Sequence, residues 1–416
     1  MKKNLLTRIG AGFLALALTL GILAVPSKTE GFTVDSKKGL QGDYILTEQG
    51  VTGHHMLLNL YLDEIDSPDL SEKNYVVNGN SYYFKPEVLD AYQTRLKEAA
   101  ERNIEVTLVL LLRGNAHCNA MGMMAAGGAD PNRLYAMNPN SEALEAFFGI
   151  IAHELGSGEY GAANFILGNE VNMPNHYNYT GTLDPEKNAE LYVRTFLRFS
   201  QMLRVEGDPR AKAYLSLDHS WTDNGAGSGI AGKTFLDLFA KKMAEYDPSC
   251  PWNVAYHLYA PDLSRTTSIW TDVTEEGADP LFISPANLTV LTDYIRENFG
   301  EDHRVILSEQ GYSIAEGETA QAAALALCYE AAEQNDLVDA VIFRSFKDEG
   351  TDGGLDLGLL DAEGNAREAY MVYQEMDTTY GERLLSYYAH RMEWELEQPE
   401  EPEGPVEEAE ATEETE

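Results

Sequence analysis

Two glutamates have the residue type and the spacing to do chemistry together. Phe165-Ile166-Leu167-Gly168 reads as a short buried strand whose polarity flips at once to Asn169-Glu170-Val171-Asn172. Arg304-Val305-Ile306-Leu307 reads as another, ending in Ser308-Glu309-Gln310-Gly311. A carboxylate just past the carboxyl end of a barrel strand sits where barrel enzymes keep their chemistry. An isolated Asn-Glu after a strand is an ordinary solvated loop, and the second carboxylate changes its meaning. If both strands belong to one parallel barrel, their ends open on the same mouth and the side chains converge there. Glycoside hydrolysis needs such a pair: one carboxyl protonates the leaving oxygen, and the other attacks the anomeric carbon or activates water.

The elements that must position this pair alternate along the chain. Strands are expected at Gly39–Gln41, His55–Leu62, Ile104–Leu112, Phe165–Gly168, Ala213–Leu217, Val254–Tyr259, Arg304–Leu307 and Ala340–Phe343. Helices are expected at Pro86–Asn103, from Ser141 to about Leu155, and at Pro185–Arg204, Thr234–Tyr246, Asn287–Asn298, Ala320–Gln334 and Ala366–Met376. Val88, Tyr92, Leu96 and Ala99 share one face of the first helix, with Pro86 in its first turn. The run Ile-Glu-Val-Thr-Leu-Val-Leu-Leu-Leu at 104–112 is continuous enough to be buried on both faces of a parallel sheet. This alternation is the signature of an α/β protein, here a (β/α)8 TIM barrel with Glu170 after strand four and Glu309 after strand seven. The long connection Arg113–Pro139, rich in Gly, Met and Asn, is of a length that usually serves function.

The chain has 416 residues, of which 30 are basic and 68 acidic, a formal net charge of −38. Such a surface repels polyanions, so nucleic acid is excluded as a partner. Met1-Lys2-Lys3-Asn4 with Arg8, followed by the apolar run Ile9–Val25, reads as either a secretory signal peptide or an uncleaved N-terminal anchor over residues 1–27. A secreted or cell-surface location follows, with the membrane touched only through that anchor. The barrel is expected over 28–391, and 392–416, rich in Glu and Pro, as a disordered acidic tail. Cys118, Cys250 and Cys328 make no disulfide framework. Oligomeric state is not legible here.

Asn169-Glu170 after strand four, with Glu309 after strand seven, resembles the large clan of (β/α)8 retaining glycoside hydrolases, clan A. The resemblance implies Glu170 as general acid/base, Glu309 as nucleophile and Asn169 as a hydrogen-bond partner of the sugar 2-hydroxyl. It implies a carbohydrate substrate and no cofactor. His257-Leu258-Tyr259 matches the clan's His-x-Tyr, whose Tyr bonds the nucleophile, and Gly358–Tyr370 resembles the segment before the clan's last helix. Two departures stand out. Strand two lacks the Arg many members hold near the nucleophile, for which Arg113 after strand three is a substitute. Strand eight offers Arg344, Phe346 and Lys347 where many members place a Trp platform.

The residues themselves set physical expectations. An acid at Glu170 needs a drier, more negative environment that raises its pKa. Glu309 must stay ionised, helped by Tyr259 and a cation such as Arg113 or Arg344. Trp221 is either a stacking platform for a sugar or a core residue capping the barrel. His176 and His219 are hydroxyl partners or plain loop and core histidines. Asn172, Asn115 and Tyr177 are rim candidates, and Asn59 points into the mouth or bonds neighbouring backbone. Asp218-His219 and His54-His55 have no third ligand at a recognised spacing, so no metal is expected. The rival reading is a barrel that binds carbohydrate or a cell-surface ligand without turnover; a metal-dependent hydrolase is the third.

Overall fold

In a computed structural model, the described residues are 36–397 other than 273, 276, 277 and 351. The expected signal or anchor segment and the tail from 398 onward lie outside them. In chain order the strands are β1 (Lys38–Gln41), β2 (His55–Tyr61), β3 (Lys73–Val77), β4 (Asn80–Phe84) and β5 (Glu105–Leu111), followed by β6 (Asn164–Leu167), β7 (Lys212–Leu217), β8 (Asn253–His257), β9 (Val305–Gln310) and β10 (Val338–Phe343). All but β3 and β4 pair in parallel and close on themselves, β10 returning to β1 and β1 to β2. This is a (β/α)8 barrel, with Glu170 and Glu309 at the ends of its fourth and seventh strands.

Alternation along each strand separates two apolar layers. Met56, Leu58 and Leu60 of β2 and Val106, Leu108 and Leu110 of β5 face outward into the layer shared with the helices. Leu57, Val109, Ile166, Tyr214, Ala255, Ile306, Ala340 and Ile342 fill the barrel interior. Burial on both sides explains the unbroken apolar run of β5. Below that plug the floor is polar. Asn164 Nδ2 donates to Glu105 Oε1 at 2.6 Å, and Lys212 and Arg304 share Asp339. The outer helices begin on expected signals: Ser141 Oγ and Asp184 Oδ1 accept from Leu144 and Lys187 N–H, and Pro86 and Pro185 open their first turns.

Two elements fall outside the sequence expectation. The β3–β4 hairpin turns on Asn78-Gly79, both at positive φ, 49° and 86°, as a two-residue hairpin turn requires. It lies against the helix Glu142–Leu155, with Asn78 and Asn80 donating to Glu142. The helix Gly381–Glu397 carries the folded chain past Arg391, with Leu384, Leu385, Tyr388 and Met392 buried. Among the described residues no helix is long and apolar enough to cross a membrane, and the three cysteines are free and buried.

A buried ion pair ties the first strand to the segment that follows the helix Glu368–Glu375. Lys38, 1% exposed, places Nζ 2.5 Å from Asp377 Oδ1 and within hydrogen-bond reach of Thr52 Oγ1 and the Gln374 carbonyl. Removing one partner of such a pair leaves an uncompensated buried charge. Asp377→Ala is therefore expected to lower unfolding stability by roughly 3–5 kcal/mol in a denaturant titration. An unchanged midpoint would show that the pair contributes nothing to closure.

Candidate active site

The first carboxylate is presented by a strained turn. Gly168 leaves β6 at φ +77°, and Glu170 itself adopts φ +41°, a region that side-chain-bearing residues rarely occupy. Neighbouring β7 holds the turn: Glu170 N–H donates to Ser216 Oγ at 3.0 Å and Val171 N–H to the Ser216 carbonyl at 2.9 Å. Asn172 and Asp218 then lock reciprocally. Asn172 Nδ2 donates to Asp218 Oδ1 at 2.6 Å, and Asp218 N–H returns to Asn172 Oδ1 at 3.1 Å.

The second carboxylate is aimed by a register shift. β8 and β9 pair Tyr256 with Leu307 but His257 with Glu309, so β9 carries an extra residue, Ser308, between them. A bulge of this kind re-aims the side chain that follows it. It brings Glu309 over the end of β8, where His257 and, two residues on, Tyr259 each bond one glutamate. His257 Nδ1 lies 2.8 Å from Glu170 Oε1, and Tyr259 Oη donates to Glu309 Oε1 at 2.8 Å. Arg344, leaving β10, places Nη1 3.0 Å from the same Glu309 oxygen. One donor atom each of Glu170, His257 and Glu309 lie within 4.8 Å of one another. On both glutamates Oε1 is held, while Oε2 has no hydrogen-bond partner among the described residues.

These partners push the two acids apart. Burial raises the Glu170 pKa and outweighs the lowering by His257, while the charges of Asp218 and Glu309 add to the rise. Burial works the same way on Glu309, but His257, Arg344 and the Tyr259 hydroxyl overcome it and hold this carboxyl below its usual range. Burial also opposes the charge of His257, yet Glu309, Glu170 and Asp218 together push its pKa up. The site therefore favours one protonated and one ionised carboxyl. Glu170, His257 and Glu309 are also the residues that could offer ligands to a single cation. The guanidinium of Arg344 on Glu309 opposes a divalent ion there.

The other expected residues divide. Asn169 is half-buried beside Glu170, with its amide unused by any described residue. Tyr177 is half-exposed, and its hydroxyl feels Glu170, Glu309, Arg344 and Asp218, which places its ring at the mouth. His176 is exposed next to it. His219 stacks on Phe282 with centroids 5.0 Å apart and meets Tyr259 edge-on; burial lowers its pKa. Asn59 shares the inward-facing side of β2 with Leu57 and Tyr61. Asn115 caps a short helix, accepting from the backbone of His117 and Cys118.

Three expectations are corrected. Trp221 is fully buried and packs edge-on against Tyr294, so its core alternative holds and it offers no face to a sugar. Asn172 is fully buried, and its amide is spent on Asp218 and the Ile230 carbonyl. Arg113 pairs with Asp63 and Glu64 and lies over the Tyr61 ring, because the acidic turn after β2 captures it before it reaches Glu309. Sequence reasoning missed Ser216 and Asp352. Only the inward alternation of β7 pointed to the first.

A closed parallel barrel with two carboxylates at the mouth places the chain among (β/α)8 proteins, and solved structures share the fold. A family 39 glycoside hydrolase from Bacteroides cellulosilyticus WH2 matches at TM-score 0.54 and 15% identity, over 81% of this chain and 62% of that one. The β-glycosidase of Thermosphaera aggregans matches at 0.54 and 13%, over 83% and 86%. A GH5-4 broad specificity endoglucanase from Clostridium acetobutylicum matches at 0.50 and 13%, over 82% and 96%. At such identities the likeness is one of fold, and the present chain spans only 62% of the first of these relatives. No curated protein matches the chain. The chain belongs to the family of unknown function DUF5722, whose model matches residues 32–392.

The opposite shifts of the two acids predict opposite effects on stability. Glu170, with a raised pKa, stabilises the fold in its protonated form, and that contribution is lost as pH rises through the folded-state value. Glu309, with a lowered pKa, contributes stability above its unfolded-state value and loses it as pH falls through the folded one. In thermal melts at pH 8, Glu170→Gln is expected to melt above wild type and Glu309→Gln below it. Both gaps should narrow in acid, and two shifts of the same sign at pH 8 would contradict the assignment.

Proposed function

We propose that this barrel is a retaining glycoside hydrolase that works by double displacement through Glu170 and Glu309. The observation that carries the reading is the division of partners between the two carboxyls: Tyr259 and Arg344 hold Glu309, while buried Glu170 faces the negative charge of Asp218. Their close approach favours retention, which uses carboxyls about 5–5.5 Å apart, over inversion at about 6.5–9.5 Å. Glu309 Oε2 attacks the anomeric carbon as the glycosidic C–O bond breaks, and the Glu170 proton passes to the leaving oxygen. Water then attacks the glycosyl ester, Glu170 takes its proton, and Glu309 leaves as carboxylate. Asn169 and Tyr177 line the space where the sugar would sit.

The sugar we assign is uncharged. Arg344 is committed to Glu309 and Asp352, and Arg113 to Asp63 and Glu64, so neither is left for a uronate or sulfate. The leader-like residues 1–27 support a reaction outside the cytoplasm.

Hydrolysis of aryl glycosides and a panel of neutral polysaccharides, with anomeric configuration followed by NMR, tests the proposal. Glu170→Gln should lower kcat by about 10²–10⁴-fold on substrates with poor leaving groups, and much less on activated aryl glycosides. Glu309→Gln should abolish turnover of both, and activity surviving in it would exclude double displacement. Binding of a glycan by wild type without turnover would favour the non-catalytic barrel. Wild-type kcat/KM should be bell-shaped in pH, with the acidic limb set by lowered Glu309 and the alkaline limb by raised Glu170.

A further inference from the structure

The guanidinium of Arg344 is divided between two carboxylates on opposite sides. Nη1 lies 3.0 Å from Glu309 Oε1. Nε donates to Asp352 Oδ1 at 2.8 Å, and Nη2 donates to the same oxygen. Asp352 stands on the connection between β10 and the helix Glu368–Glu375, and its side chain is only 5% exposed. Arg344 is its side chain's sole hydrogen-bond partner among the described residues. A carboxylate this buried, with one partner and no other polar duty, calls for an explanation.

We propose that Asp352 is a positioning residue for the nucleophile: by gripping the Nε–Nη2 edge of Arg344 it fixes the direction of Nη1 onto Glu309 Oε1. The proposal rests on the paired-carboxylate reading above. A guanidinium is a rigid planar fork, so holding one edge determines where the far corner points. An arginine with one acceptor could rotate off Glu309 into the mouth, whereas one held from behind cannot. The arrangement also selects the reacting oxygen. With Tyr259 and Arg344 both on Oε1, Oε2 is left for attack. Asp352 thus ties a connection beyond β10 to the chemistry at β9 without touching substrate.

Glu309 is faced by His257 of β8 and Tyr259 just after it, by Glu170 and Tyr177 from the connection after β6, and by Arg344 just after β10. Asp352 stands behind Arg344. Removing the Asp352 charge has two opposed effects on Glu309. Loss of a distant anion favours ionisation, and loosening of the cation in contact disfavours it. Coulomb energy falls with distance, so the contact at 3.0 Å decides the sign and the nucleophile becomes harder to ionise.

The test is a pH titration of protein carrying ¹³C at glutamate Cδ, with the Glu309 resonance assigned by its loss in Glu309→Gln. In Asp352→Asn the Glu309 midpoint should move to higher pH, the acidic limb of kcat/KM should follow it, and optimal kcat/KM should fall about tenfold, as one lost hydrogen-bond constraint would cause. Asp352→Glu should restore much of both, which a purely structural role for the loop would not require. Should Asp352→Asn fail to fold, Arg344→Lys decides, since a point charge cannot bridge both carboxylates and must raise the midpoint as well. An unmoved Glu309 midpoint in the folded variant would overturn the proposal. The titration needs no substrate. A shifted midpoint without glycan turnover would therefore sink the hydrolase reading alone, and normal turnover with an unmoved midpoint would sink the positioning role alone.

Discussion

Everything at the mouth depends on closure of a parallel sheet. Because each strand runs the same way, the residues that follow β6, β7, β8, β9 and β10 open onto one face, although Glu170 and Arg344 are far apart in sequence. Closure also leaves the barrel no interior room for the chemistry. The plug of Leu57, Val109, Ile166 and Tyr214 occupies it, so polar groups are confined to the floor and the mouth. On the floor Lys212 and Arg304 are offset by Asp339 and Glu105. The mouth is left unbalanced, and that imbalance is what separates two chemically identical side chains.

The separation is built from few parts. β7 contributes a hydroxyl that fixes the Glu170 backbone and an anion that disfavours its charge. β8 contributes one ring to each glutamate, and β10 contributes the cation. His257 alone acts on both acids, in contact with Glu170 and through its charge on Glu309. The strained backbone at Glu170 belongs to this design, since a left-handed residue at a strand end persists only when neighbours over-determine it.

Much of the fold was legible because barrel strands are short apolar runs bounded by polar ends, and helices carry their caps in sequence. Even the glycine-containing β1 paired as expected. The hairpin is hard to read although Asn78-Gly79 announces it, because Lys73–Val77 and Asn80–Phe84 group their polar and apolar residues instead of alternating them and lie outside the βα rhythm. The helix Gly381–Glu397 was hidden by the acidic composition that begins within it, while Leu384, Leu385, Tyr388 and Met392 kept a helical period. At the site, Glu170, Glu309, His257 and Tyr259 were readable from their place at strand ends. Which alternative Trp221 takes, and where the side chains of Asn172 and Arg113 are spent, is not legible, because position along a strand does not say what a neighbouring segment has already claimed. Asp352 could not be read at all, since its role exists only where one connection folds back on another strand's arginine.

The direction of β1 has a topographic consequence. The strand begins at the floor with Lys38, pinned to Asp377, and runs toward the mouth. Residue 36, where the described chain begins, therefore lies on the side of the barrel opposite Glu170 and Glu309. A support coupled to the folded protein through that base would leave the mouth facing away from it, unobstructed.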